Sequence, residues 1–326
     1  MRICFKFGMF LIAVAACTII FFSGNQAIAY SISAWGSDSY GQVSNTPTGN
    51  DFVDVAAGYY NGLALKSDGS LVGWGIDIYG QVSNTPTGND FVSIATGYSF
   101  NLALKSNGSL VGWGDDIFDQ VSNTPTGNDF VDVATGSYHG LALKSDGSLV
   151  GWGYNNKGQA TVPTGNDFVD IAANGWWSLA LRSDGSLIGW GYNIYGQTDV
   201  PTGNDFVDIA GGLSHGLALR SDGSLVGWGY NAYGPINVPT GNDFIDIAGG
   251  LSHSLALRSD GSLVGWGRDN HGQVSNIPTG NDFVMVSSKL NHNYALRGEP
   301  IPEPTTMLLL GTGLLGLACT RRKFIK

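Results

Sequence analysis

SLALRSDGSLIGWG, residues 178–191, holds two short apolar runs on either side of Ser-Asp-Gly-Ser. Runs of this length bounded by Gly, Asn and Asp read as strands, and Asp-Gly tolerates the positive φ of a two-residue type I′ hairpin. Trp-Gly recurs at Trp35, Trp74, Trp113, Trp152, Trp190, Trp228 and Trp266, at spacings of 39, 39, 39, 38, 38 and 38 residues. A fixed period of this size marks a repeat architecture. The repetition runs from Ile32 to Arg297, so one domain is expected where length alone suggests about two.

Pairing outward from Asp68-Gly69 sets Lys66 against Leu71, Leu65 against Val72, Ala64 against Gly73 and Leu63 against Trp74. Successive residues of a strand face opposite sides. This register predicts a bulky face of Leu63, Leu65, Val72 and Trp74 that docks on the next unit's small face. Four short strands per unit, with no helical segment able to cover a sheet, predict a ring of blades.

The two ends of the repeat array are halves of one unit. His292–Arg297 matches the first hairpin strand but lacks its partner, and Ala34-Trp35-Gly36 is a second hairpin strand without a first. The expected fold is all-β: a seven-bladed β-propeller closed by pairing of the N-terminal strand with the C-terminal repeat. Arg297 is expected opposite Ile32, Ala295 opposite Ala34 and Tyr294 opposite Trp35. Closure of this kind removes exposed strand edges.

The repeat reads Gly-x-x-His-x-Leu-Ala-Leu-x-x-Asp-Gly-x-Leu-x-x-Trp-Gly-x-Asn-x-x-Gly-Gln, met in one copy by Gly136, His139, Leu141, Ala142, Leu143, Asp146, Gly147, Leu149, Trp152, Gly153, Asn155, Gly158 and Gln159. It resembles the regulator-of-chromosome-condensation repeats and their compact bacterial relatives, such as the propeller-type β-lactamase inhibitor. The resemblance implies the propeller fold and says little of function, because propellers host many activities.

Residues 1–29 read as a secretory signal peptide, with Arg2 and Lys6, an apolar core from Met9 to Phe22, and Ala27-Ile28-Ala29 as an A-x-A cleavage site. A lipoprotein site at Cys17 is disfavoured by the hydrophobic Thr18–Phe22 that follows it. Residues 30–299 form the propeller. In residues 300–326, Pro302-Glu303-Pro304 precedes the apolar Thr305–Cys319 and the basic Arg321-Arg322-Lys323. The trio resembles the PEP-CTERM sorting signal of Gram-negative bacteria, which implies processing by an exosortase and delivery to the cell surface or an extracellular polymer matrix. A short tail-anchoring transmembrane helix is the plainer reading of the same segment. Cys4, Cys17 and Cys319 all fall in the end segments, so no disulfide framework supports the ring.

From Tyr30 to Glu299 the chain has 10 basic and 25 acidic residues, a net charge of −15. That balance disfavours nucleic acid and anionic lipid as partners. Many of the aspartates sit in Ser-Asp-Gly-Ser and Gly-Asn-Asp, where turns use them.

An up-and-down path puts the constant Ser-Asp-Gly-Ser and Pro-Thr-Gly-Asn-Asp segments at one end of every unit and the variable loops at the other. The variable end carries Tyr59, Tyr60, Tyr98, Phe100, Tyr138, Trp176 and Trp177, with Tyr40, Tyr79, Phe118, Tyr154, Tyr192, Tyr195, Tyr230 and Tyr233 around them. Aromatic rings with a polar tip are common anchors of interfaces, and the first seven are the candidate ligand-binding rim. His139, His215, His253 and His292 share one repeat position and are read as structural, because equivalent positions on separate units do not converge on a metal. Asp115, Asp116 and Asp119 are a weak candidate calcium site or an acid and base for glycoside chemistry; a solvated loop has the same composition.

These features predict an exported, non-enzymatic module that holds an extracellular protein or polysaccharide, without a cofactor. An inhibitor-like binder of an extracellular enzyme and a polysaccharide lyase are the alternatives. No nucleophile, base and orienting group can be read from the chain.

Overall fold

The computed structural model describes residues 30–298, which are all-β with 21 strands and no helix. Phe52–Ala57, Asn61–Lys66 and Leu71–Gly75 form the first antiparallel triplet, and five further triplets begin at Phe91, Phe130, Phe168, Phe206 and Phe244. Phe283–Lys289 and His292–Gly298 complete their sheet with Tyr30–Gly36 from the other end of the array. A single pair, Tyr30 with Phe52, joins this sheet to the first triplet.

Each unit has three strands where four were expected. The segment after Gly75 spends its amides locally: Asp77 Oδ1 accepts from Val82 N at 2.8 Å and Ser83 N at 2.9 Å, and Gln81 Oε1 accepts from Tyr79 N. Asx-type bonding competes with a strand ladder and wins here.

The hairpin register differs by one residue from the expected one. Leu65 pairs with Leu71, Ala64 with Val72, Leu63 with Gly73 and Gly62 with Trp74. Lys66 N donates to Ser70 O and Gly69 N to Lys66 O, which makes Ser67-Asp68-Gly69 a three-residue loop. Gly69 alone takes the left-handed conformation, at φ +83°, as a three-residue hairpin with a glycine bulge requires. Asp68 Oδ1 instead accepts from Ser70 N and Ser70 Oγ. The terminal strands shift in the same sense: Ile32 faces Leu296, Ser33 faces Ala295, Ala34 faces Tyr294 and Trp35 faces Asn293.

A slip of one residue exchanges the faces of a strand. Val72 and Trp74 therefore share a face with Ala64, and Leu63 and Leu65 share the other with Leu71. Trp74 lies flat over Gly62, where an added Cβ would sit 2.2 Å from Trp74 Cζ2. Every repeat tryptophan donates its indole N–H to a backbone carbonyl in the loop of the preceding unit, at 2.7–3.1 Å. Because the acceptor is backbone, Pro235 serves as well as the glutamines at the other six sites.

The core is a series of packets between neighbouring units. Leu63 and Leu65 pack with Phe91, Ile94, Ala103 and Trp113, and the same pattern repeats along the chain. One packet joins the array's ends, with Met285, Tyr294 and Leu296 against Phe52, Val55 and Trp74. The first strand of each unit packs on those of its neighbours, and Phe283–Lys289 packs on Phe52–Ala57. These first strands line a cavity of about 110 Å³.

Candidate functional site

The constant end is tied together by turns and ion pairs. Ser67 N donates to Asp51 O, and Phe91 N to Gly69 O, so each Ser-Asp-Gly-Ser loop is bonded to the segments entering its own and the next unit. Lys66 pairs with Asp51 at 3.1 Å, and six equivalent pairs follow along the chain, through Arg297 with Asp282, at 2.6–3.3 Å. The cation also lies over the phenylalanine that starts the unit, as Lys66 does over Phe52. Seven of the ten basic residues of the repeat region are engaged here.

The variable end carries a chain of rings in mutual contact. Tyr40 meets Tyr60 at 4.9 Å between centroids, Tyr60 meets Tyr98 at 5.8 Å, Tyr98 meets Tyr138 at 5.2 Å, and Tyr138 meets Phe118 at 5.1 Å. The chain continues from Phe118 to Tyr154 at 4.5 Å, to Trp176 at 6.4 Å and to Tyr192 at 5.7 Å. Tyr40, Phe118 and Trp176 are exposed, and Tyr60, Tyr98, Tyr138, Tyr154 and Tyr192 are partly so. Ile78 and Ile117 project beside the arc, 70% and 71% exposed.

Tyr59, Phe100 and Trp177 leave the candidate rim, because all three are buried. Phe100 and Trp177 occupy the repeat position held elsewhere by Asn61 and by the histidines, which faces the next unit. The repeat position itself carries this signal, because the histidines that share it are structural. Tyr59 folds inward and its hydroxyl meets Ser137 Oγ at 2.6 Å. Burial pushes its ionisation well above the usual phenol range.

His139, His215 and His253 bond through Nε2 to the next unit, on Ser178 Oγ at 2.9 Å, Ser254 Oγ at 3.0 Å and Asn293 Oδ1 at 2.8 Å. Burial pushes His139, His215 and His292 down to about 3 and His253 to about 4. All four are neutral at ordinary pH, and His139, His215 and His253 cross-link units.

The aspartate cluster is occupied in the same way as the other loops. Asp116 Oδ1 accepts from Val121 N and Ser122 N, and Asp115 Oδ1 from Ile117 N. Slight burial opposes ionisation of Asp38, Asp77 and Asp116, but two backbone N–H donors apiece hold their carboxyls below the usual range. Among the described residues no group of three or more His, Cys, Asp or Glu is placed to hold a metal ion, which removes the geometric basis for calcium at Asp115, Asp116 and Asp119. Asp119 has φ +58° where other copies have glycine.

The cavity also holds two polar side chains that strand and turn periodicity does not point to. Lys289, buried, donates from Nζ to Thr96 O at 3.1 Å and Thr135 O at 2.8 Å, and Asn174 Nδ2 donates to Gly211 O at 2.9 Å. Burial lowers the Lys289 ammonium to about 7. Both residues stand in a column that is otherwise glycine, at 58, 97, 136, 212 and 250. That break in the repeat was the available signal.

Ala27, Ala29, Pro302, Glu303 and Pro304, and the apolar Thr305–Cys319, lie outside the described residues. Among the described residues no helix is long and apolar enough to cross a membrane.

Comparison with known proteins agrees with this architecture. A PEP-CTERM protein-sorting motif matches residues 300–323, the mark of an exported chain that is membrane-anchored before processing. No curated protein matches in sequence. Among solved structures, human WBSCR16 superposes with a TM-score of 0.70 at 18% identity, over 84% of this chain and 100% of that one. Prp20p from Saccharomyces cerevisiae gives 0.71 at 18% identity, over 88% and 96%. The ectodomain of the Arabidopsis thaliana receptor kinase ACR4 gives 0.62 at 21% identity, over 77% and 98%. These identities speak for the fold alone. The regulator of chromosome condensation (RCC1) repeat matches residues 52–81, 91–120, 130–159, 168–197, 206–234 and 244–273, more than half of the sequence, and the chain belongs to that repeat family.

Proposed function

We propose that the protein is an exported, non-enzymatic β-propeller that binds an extracellular protein or polysaccharide through the aromatic arc on its variable end. The domain is a closed ring of seven blades. In support, Tyr30–Gly36 pairs with His292–Gly298 along its whole length, and the first strands of all units form a continuous circuit of contacts. Residues 1–29 are a signal peptide, and residues 300–326 are a sorting tail handled by an exosortase. The mature protein resides at the cell surface or in the polymer matrix of a Gram-negative bacterium.

The observation that carries the binding role is the unbroken run of rings from Tyr40 to Tyr192. Exposed aromatics are costly to leave in water and are suited to become buried anchors of a complex. Prp20p, which shares the fold, is described as binding Gsp1p and histones; a protein-binding role for a propeller of this type is in keeping with that. The neutral, buried histidines and the committed Asp116 weigh against a catalytic reading.

Full-length protein, immobilised and exposed to the producing cell's extracellular polymer and secreted proteins, is expected to retain a component. Tyr60→Ala, Tyr98→Ala and Trp176→Ala together are expected to release it. Retention unchanged by those three substitutions would sink the rim reading.

A further inference from the structure

Charge on the variable end is sorted by sector. Asp38, Asp77, Asp116 and Asp119 are exposed, and Asp115 partly so, around the part of the arc that runs from Tyr40 to Tyr138. Seven of the ten basic residues are held by aspartates at the opposite end, and Lys289 is buried against carbonyls. The remaining two lie on this end but further round: Lys157 sits over the Tyr192 ring at 5.9 Å and Arg268 over the Tyr233 ring at 5.0 Å. Elsewhere on the rim, then, a tyrosine face already carries a cation of the protein's own. The sector from Tyr40 to Tyr138 has the aromatics and the carboxylates and, among the described residues, no cation of its own.

The shape of the sector also bears on the ligand. Adjacent rings meet at 67°, 82°, 37° and 71°, so they cover parts of each other's faces. Sugar stacking uses a flat, open ring face, whereas tilted rings flanked by the protruding Ile78 and Ile117 offer edges and aliphatic knobs. Ring edges and knobs pack against aliphatic side chains, and the carboxylates beside them attract ammonium or guanidinium groups.

We propose that the sector from Tyr40 to Tyr138 docks a cationic protein segment, one that presents Lys or Arg side chains alongside aliphatic ones. The proposal rests on the aromatic arc being the binding surface and names the chemistry of what it takes.

The test uses the full-length protein and three probes: a peptide of Lys, Leu and Ser, a peptide of equal length with Glu in place of Lys, and a chitosan oligosaccharide as a cationic glycan. The lysine peptide is expected to bind at least about tenfold more tightly than its glutamate counterpart, and to weaken by about tenfold between about 0.05 and 0.5 M salt. Asp115→Asn with Asp119→Asn, isosteric and on exposed loops, is expected to remove much of that preference while leaving the thermal midpoint unchanged. Equal binding of the two peptides, or a preference untouched by the Asp→Asn pair, overturns the proposal. Tighter binding of chitosan than of the lysine peptide, lost on Tyr60→Ala with Tyr98→Ala, also overturns it but leaves the arc as the binding surface. If no probe responds to those tyrosine substitutions, the arc itself is not the surface.

Discussion

The Tyr294 hydroxyl donates to the Gln42 carbonyl oxygen at 2.6 Å, across 252 positions of sequence. The same oxygen accepts the Trp74 indole N–H at 2.9 Å, and the two rings meet edge to face at 5.1 Å. The residues at which the array begins and ends are thus joined to the first complete unit by buried polar and aromatic contacts.

Tyr294→Phe removes one of two donors to Gln42 O and leaves no donor or acceptor orphaned. The expected loss is about 1 kcal/mol, the ordinary net value of a hydrogen bond. Denaturant midpoints with an unchanged slope would check it. Deleting Tyr30–Gly36 uncovers the strand His292–Gly298 and is expected to cause aggregation.

Gly62→Ala drives a methyl group into the Trp74 ring and to 2.7 Å from Tyr294 Oη. Backbone holds Gly62 in place on both sides, so relief must come from the rings. Destabilisation of about 1–3 kcal/mol is expected, with a change in the near-ultraviolet circular dichroism of the tryptophan.

Phe100→Ala and Tyr60→Ala separate packing from binding. Phe100 is fully buried, and its truncation is expected to cost about 3–5 kcal/mol. Tyr60 is on the open arc, and its truncation is expected to change the thermal midpoint little while weakening ligand retention. Equal loss of stability in the two variants would contradict the division between wall and rim.

Acid weakens the fold through the histidines. Their folded values, about 3 to 4, lie below the roughly 6.5 of an unfolded chain. The unfolded state therefore binds more protons between about pH 6.5 and 4, and stability falls as pH drops through that window. Each histidine contributes up to about 1.4 kcal/mol per pH unit. Replacing His139 by Asn, the residue native to this column at position 61, is expected to flatten the acid limb of a stability profile.

Lys289 acts in the alkaline window. Its folded value is about 7 against about 10.4 unfolded, so the unfolded chain holds the extra proton between these values and stability rises with pH across them. Lys289→Met is expected to abolish that rise, as read from chemical denaturation at about pH 7 and 10.

The register shows where local reading fails. Asp68-Gly69 is compatible with either a two-residue or a three-residue hairpin, and the side-chain bond from Asp68 to Ser70 together with contacts to Asp51 and Phe91 selects the longer. The candidate rim failed at Phe100 and Trp177 for a related reason. A variable aromatic at the start of a strand can face solvent or the neighbouring unit, and only the packed neighbour decides which.

The period, the all-β character, the matching half-units at Trp35 and Tyr294, and the division into a constant and a variable end are all legible in the order of residues. Those follow from local strand and turn chemistry repeated in register. Packing between units sets which side chains share a face, which aromatics form a connected arc, and that Lys289 and Asn174 reach across to other units. Each of these depends on distances between units far apart in the chain, which periodicity repeats but does not measure.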